Sequence, residues 1–376
     1  MRPASEILET GLPPWGEEVW FTGEAWVANK GSITTLAALA SILPKVPGGH
    51  FGPTPKISTM KIEAAYTETD WTNLGYFAGE GQQYFYDTED ENNNTYQIPF
   101  SQSYIPYKFT DEQLIFRQNA SIQSFDKFQE EINKRSGRAL RRLNNMILGV
   151  GGLGTGIRRI AENTWDMYGL LTILNNLNDY YGIARPLSGI LDSVNIDGSV
   201  VGPLGNGEFI EFLRVAQQEV TDKGEDAPVL WLMSTRMQVT VEREMYNIRG
   251  AVPGGGAIVR PTERILDSKS EPGYSFSRPN IQMYGDDWIF VFDRNIPGDG
   301  PGATNNVIIG LSPKYIRFLT VPNRFMNDPQ FMHGGHTHPT SHFAVSYLWG
   351  LLWVECPPAH ILIQNLEVET GEGGVE

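Results

Sequence analysis

The chain has 376 residues, which predicts two or three domains and enough length to bury a core. It is 40% hydrophobic and 19% charged, and its 40 Gly and 24 Pro imply many loops and turns. The net charge of −15 excludes a general nucleic-acid binder, the single Cys356 excludes an intrachain disulfide, and the longest apolar runs, 33–43 and 343–354, are too short to cross a bilayer.

Residues 1–58 read as an extended arm. The first twenty are acidic and interrupted by prolines, unlike a signal peptide. One helix is predicted at 32–43, closed by Pro44, and Pro47-Gly48-Gly49-His50 and Gly52-Pro53-Thr54-Pro55 extend the chain after it. With so little core of its own, such an arm is most easily ordered by lying on a partner.

Residues 59–109 predict a long β-hairpin. Strand-like runs at 61–67, 81–86 and 96–109 flank Gly79-Glu80-Gly81 and a polar tip at 87–95. Between Ile62 and Tyr107 there are eight acids, eleven aromatics and no Lys, Arg or His. Such a hairpin is too thin to hold its own core. Its acids and aromatics suit a surface that meets a basic partner, with Glu63, Glu68, Asp70, Trp71, Tyr84, Phe85, Asp87 and Glu89 as candidate contacts. A solvated acidic loop on a larger sheet is the plainer alternative.

Residues 110–148 predict a long helix. Thr110 and Gln113 stand at capping-box spacing, and Phe125, Phe128, Ile132, Ala139, Leu143, Met146 and Ile147 recur at helical intervals. Unbroken, it would run roughly 55–60 Å at ~1.5 Å per residue. Ser136-Gly137 is the expected point of bending, because a mid-helix Gly costs about 1 kcal/mol. Lys134, Arg135, Arg138, Arg141 and Arg142 cluster near its end with no acid among them. The four arginines are candidate contacts for an acidic neighbour; a solvated helix face is the alternative.

Beyond it the chain predicts a compact body. Helices are expected at 165–177 and 208–220, strands at 258–265, 287–292 and 306–311, and a short apolar strand in PVLWLMST, 228–235. Residues 238–247 fit either state. PGDGPG at 297–302 and residues 252–257 read as flexible loops, 341–366 as strand-rich around Pro357-Pro358, and 367–376 as an acidic tail.

Three motifs invite chemistry. GVGGLG at 149–154 has G-x-G-x-x-G spacing but follows a helix rather than a strand, so a helix stop and turn is expected, with no cofactor. His333, His336, His338 and His342 cluster in a loop-like stretch whose spacing fits no standard zinc site; they are weak metal candidates, and a subunit contact or a protonation switch are the other readings. Asp286, Asp287 and Asp293 flank the apolar run WIFVF and are expected to face solvent. No nucleophile elbow, no phosphate loop with Lys and no Cys/His pair in a family-like context is present, so no enzyme activity and no catalytic residue is expected.

The order of arm, acidic hairpin, long helix, α/β body and closing strands resembles the major capsid protein of tailed bacteriophages, the Hong Kong 97-type fold. The local pieces that carry the resemblance are GEFIEFLRVAQQEV with DAPVLWLMST, similar to the family's axial domain, and AVSYLWGLLWVECPPAHILIQNL, similar to the last strands of its peripheral domain. The resemblance implies an α+β chain divided as N-terminal arm (1–58), extended loop (59–109), spine helix and start of the peripheral domain (110–164), axial domain (165–340), and return to the peripheral domain with the C-terminal tail (341–376). The 297–302 loop would then lie near capsomer centres.

The resemblance implies self-assembly into pentameric and hexameric capsomers of an icosahedral shell in the virion, built in the host cytoplasm around DNA that is held without sequence-specific contact, and with no membrane. Lysine is absent from 62–107, so a non-covalent shell is expected where some relatives crosslink through the loop. A start at Met1 leaves no room for a long scaffolding segment, so a separate scaffolding protein is expected, while the sequence leaves open whether a decoration protein binds the outside. The competing readings are an encapsulin-like cargo nanocompartment and a metal-dependent enzyme built on the 333–342 histidines.

Overall fold

The structure is a computed structural model that describes residues 34–42, 45–46, 50–51, 61–67, 93–110, 122–156, 158–159, 164–185, 189–205, 208–223, 225–251, 258–264, 277–283, 286–325, 330–331 and 341–370. Among these the α-helices are α1 (Thr34–Ile42), α2 (Ile122–Leu148), α3 (Leu170–Ile173), α4 (Gly198–Val201), α5 (Glu208–Asp222) and α6 (Gln238–Ala251). The strands are β1 (Lys45–Val46), β2 (His50–Phe51), β3 (Lys61–Thr67), β4 (Asn93–Pro99), β5 (Ser101–Thr110), β6 (Arg158–Arg159), β7 (Thr164–Trp165), β8 (Val194–Asp197) and β9 (Leu230–Met233). They continue with β10 (Ile258–Arg264), β11 (Ser277–Met283), β12 (Asp286–Phe292), β13 (Asn306–Leu311), β14 (Ile316–Phe325), β15 (Gln330–Phe331), β16 (Ser341–Val354) and β17 (Ile361–Leu366). The chain is therefore mixed helix and sheet.

A seven-stranded sheet in the order β10-β11-β12-β9-β13-β17-β8 forms the centre. Its middle strand β9 runs parallel to β12 and antiparallel to β13. Every residue of β9 and β13 is buried, because layers cover both faces. Leu230, Leu232, Ile309, Leu311 and Leu362 point into a core shared with α1, α2 and the second sheet. Their alternates Trp231, Met233, Ile308, Ile361 and Ile363 point into a second core with α5 and α6. Period-two alternation therefore feeds two cores from apolar runs with no polar face. Gly310 stands opposite Trp231 in the ladder, and a Cβ there would come within 2.9 Å of the indole. The missing side chain makes room for the ring.

The second sheet is built on β16, which pairs with β14 and β15, and with β5 over its whole length. The expected strand at 96–109 is two strands, β4 and β5, parted at Phe100, which is buried. Thr110 is not a helix cap. It is the last residue of β5, paired with Ser341, because a ten-residue ladder outcompetes a capping box. The long helix is described over Ile122–Leu148, 27 residues, roughly 40 Å at ~1.5 Å per residue.

That helix continues through Ser136-Gly137. Both residues are buried, and Tyr107 of β5 sets its hydroxyl 3.4 Å from that of Ser136. Small residues here admit the neighbouring strand. Burial pushes the Tyr107 phenol above its usual range, against the opposing pull of the Ser136 hydroxyl. The 149–154 glycines do stop the helix: Gly149 has φ +82°, and its N–H and that of Val150 both donate to the Asn145 carbonyl.

Other expectations shift. The helix expected at 165–177 shrinks to α3, with Trp165 in the short β6–β7 pair before it. After it, the Arg185 guanidinium ties the turn together, donating to the carbonyls of Ile173, Asn175, Asn178 and Leu191. Residues 238–247 resolve as helix α6. The 297–302 loop, expected to be free, is tied down. The Asn306 side chain donates to the Gly300, Ala303 and Leu366 carbonyls at 2.9–3.0 Å and accepts from the Gly300 N–H at 2.8 Å. The Ser234 hydroxyl donates to the Gly298 carbonyl at 3.0 Å.

Asp293 overturns the solvent-facing expectation most clearly. It is fully buried between α1, α2 and the end of β12. The side chains of Asp286 and Asp287 lie outside the described residues. The helix expected at 32–43 is found as α1, but Thr35, Leu36, Ala38 and Leu39 pack into this chain's own core rather than needing a partner to cover them.

Candidate subunit-contact surfaces

Two surfaces that the sequence singled out are described in part. The first is the hairpin β3–β4, an antiparallel ladder from Lys61↔Pro99 to Thr67↔Asn93 without a register shift. Among the described residues it is a two-stranded sheet with no further strand on either edge. Glu63 pairs with Gln97 in this ladder. Glu68, Asp70, Trp71, Tyr84, Phe85, Asp87 and Glu89 fall outside the described residues, so the tip and its aromatics do too.

The second surface is α2. Its apolar stripe is one-sided: Leu140, Leu143, Met146, Ile147 and Leu148 are buried, while Lys134, Arg138, Arg141 and Arg142 are exposed. Amphipathic spacing alone produces this split. Arg135 differs, being half-buried. Its Nη1 donates to the Pro106 carbonyl at 2.6 Å and so fastens α2 to the outer edge of β5. Pro106 has no N–H to offer a further strand, so this edge is blunted at its middle. The Arg141 Nε donates to the Gly137 carbonyl one turn back at 3.3 Å, which leaves the rest of its guanidinium facing out.

On the outward side of the same sheet, Tyr104 is 54% exposed and stands opposite Tyr347, whose ring meets Trp349 edge-on at 5.7 Å. Elsewhere Leu177, Val200, Val201, Val215 and Val239 are exposed apolar side chains. Val215 had a signal in the sequence: it lies off the buried face of α5 set by Phe209, Leu213, Ala216 and Val220. Leu177 had none, because its exposure depends on the turn built by Arg185.

His333, His336 and His338 lie outside the described residues, and His342 is a β16 residue paired with Phe109. Among the described residues no group of three or more His, Cys, Asp or Glu is placed to hold a metal, and no helix is long and apolar enough to cross a membrane.

No family model matches the sequence, and no curated protein matches it. Solved structures do. The capsid of Cyanophage A-1(L) is 14% identical, with 89% of this chain and 93% of that one covered and a TM-score of 0.56. Looser likenesses are the holo-SrpI encapsulin complex of Synechococcus elongatus PCC 7942 and the capsid of Myoviridae phage XM1. The first is 12% identical over 98% and 96% of the chains with a TM-score of 0.47, the second 13% identical over 89% and 92% with a TM-score of 0.42. At a TM-score of 0.56, the likeness to the Cyanophage A-1(L) capsid chain shows a shared fold.

Proposed function

We propose that this chain is the major capsid protein of a tailed double-stranded DNA bacteriophage, a structural rather than catalytic protein. The observation that supports this most is the fold shared with the Cyanophage A-1(L) capsid over most of both chains. The reading carries with it the Hong Kong 97-type division into arm (1–58), extended loop (59–109), spine helix (110–164), axial domain (165–340) and peripheral return (341–376). It also carries capsomers of five and six copies, a separate scaffolding protein, a virion location and assembly in the host cytoplasm.

In this reading each acidic hairpin lies over the basic face of α2 in a neighbouring copy. Glu63, Glu68, Asp70, Asp87 and Glu89 would meet Arg135, Arg138, Arg141 and Arg142, with Trp71, Tyr84 and Phe85 burying apolar surface beside them. A single exposed pair contributes only ~0–1 kcal/mol. Repetition across a closed shell, with ~25 cal/mol for each Å² of apolar surface buried, makes the sum large.

Negative-stain microscopy of the expressed protein, alone and with its scaffolding partner, tests the reading. Regular shells or five- and six-membered rings are expected, and only small monodisperse particles under both conditions would overturn it. Shells that hold protein cargo in place of DNA would overturn the phage assignment alone. Arg138→Glu with Arg141→Glu is expected to abolish or sharply reduce shells while the circular dichroism and melting of the unassembled chain stay unchanged. Normal shells from this variant would remove the acid-on-base contact from the reading.

A further inference from the structure

Helix α1 has nine residues, too few to be stable alone. Its first N–H groups have no partners within the helix. The partners come from far along the chain. The Thr35 N–H donates to Asp293 Oδ2 at 3.0 Å, and the Leu36 N–H donates to Asn144 Oδ1 at 2.8 Å. The Thr35 hydroxyl donates to the same Oδ2 at 2.7 Å, and the Asn144 Nδ2 does so at 3.0 Å. The other carboxylate oxygen accepts from the Asn295 N–H and Nδ2, each at 2.8 Å. A carboxylate at a helix N-terminus is also favoured by the helix dipole.

Thr35, Asn144 and Asp293 are each 0% exposed. A sequestered carboxylate is tolerated only while donors surround it. Two of the three donors to Oδ2 belong to Thr35. Among the described side chains, Leu36, Ala38 and Leu39 supply the apolar part of the joint, packing against α2 and β12. Only residues 43–44 separate α1 from β1, whose partner β2 pairs in turn with β14. No strand of either large sheet depends on α1 for its ladder.

We propose that α1 is a separately releasable clasp. Asp293 and Asn144 form a socket that reads a helix N-terminus, and this socket fixes the start of the chain to both the long helix and the central sheet. When the polar contacts fail, α1 leaves while the sheets stay folded. The device is conformational: it sets whether the segment before the body is anchored or free.

Hydrogen exchange read by mass spectrometry on the unassembled full chain tests this, independently of whether shells form. Thr35→Val keeps the size of the side chain and removes one hydrogen bond to a charged group. Exchange across 34–42 should then rise roughly tenfold to a hundredfold. Peptides covering 230–233, 306–311 and 361–366 should keep their protection. Asp293→Asn should act in the same direction, and Thr35→Ser, which restores the hydroxyl, should return 34–42 to the parent rate. Unchanged exchange at 34–42 in Thr35→Val would overturn the proposal. So would loss of protection in the three strands in step with 34–42, since α1 would then be only part of the global core.

Discussion

The seven-stranded sheet and the β3–β4 hairpin are both β-structure, yet the sheet carries register shifts in its β10–β11 and β13–β17 ladders while the hairpin has none. The sheet feeds a core on each face, and its central strands β9 and β13 have no exposed residue. The hairpin has seven cross-strand pairs and, among the described residues, no further strand beside it. Ile98 of β4 is buried in the main core, and the other hairpin side chains lie outside the described residues, so the difference the described residues show is one of width, two strands against seven. A two-stranded ribbon alone is marginal in water, whereas a sheet buried on both faces is the stable centre of a domain. The sheet is held by burial on both faces, and the described part of the ribbon is joined to the same body through Ile98.

Removing a large side chain from the centre should break this contrast with the largest effect. Trp231 is fully buried, packs against Trp288 at 5.4 Å and fills the space that Gly310 leaves. Trp231→Ala should cost about 3–5 kcal/mol, by the lost transfer energy and the cavity left behind. Denaturant unfolding of the unassembled chain measures it. A loss below ~1 kcal/mol would mean that the sheet is not where the stability resides.

A second effect is smaller at neutral pH and grows in acid. His360 is fully buried just before β17, its Nδ1 accepting from the Ser312 N–H at 3.2 Å. Burial pushes its pKa down to about 3. The unfolded chain, with an ordinary imidazole near ~6.5, takes up this proton first as pH falls. Stability is therefore full above ~6.5 and falls by about 1.4 kcal/mol per pH unit down to the depressed value. His360→Asn keeps a hydrogen-bond acceptor without the titration, so its acid slope should be shallower by that amount. Parallel slopes in the two proteins would show that His360 does not set the acid limit of the central sheet. Cys356, by contrast, offers no chemistry nearby, because burial, with Glu225 adding to it, pushes its thiol up to about 12.

What could be read from the sequence follows the same division. The strand 306–311 and the helix start at Glu208 were legible because apolar period and local composition agreed with the tertiary outcome. The basic face of α2 was legible for the same reason. Thr110 was misread because its ladder partner Ser341 lies more than two hundred residues away, and a local capping signal carries no information about that. Asp293 was misread as a surface acid because its donors, Thr35 and Asn144, come from helices far along the chain. β14 and β8 drew no expectation: β14 interrupts its apolar residues with Arg317, Pro322, Asn323 and Arg324, and β8 has four residues. His360, one histidine after two prolines, gave no sign of its burial.

The smallest expected effect lies at the surface of the body, where the 297–302 loop meets the turn after β9. Arg236 and Asp299 form an ion pair there with side chains 62% and 59% exposed. Asp299 is held a second time by Asn305, whose Nδ2 donates to Oδ2 at 2.7 Å and whose Oδ1 accepts the Asp299 N–H at 3.0 Å. Because Asn306 and Ser234 already fix the loop from inside, the ion pair adds little to its position. A double-mutant cycle with Arg236→Ala and Asp299→Ala should give a coupling below ~1 kcal/mol that shrinks as salt is raised. A salt-independent coupling of ~2 kcal/mol or more would mean that the loop is held by its surface charge rather than from inside.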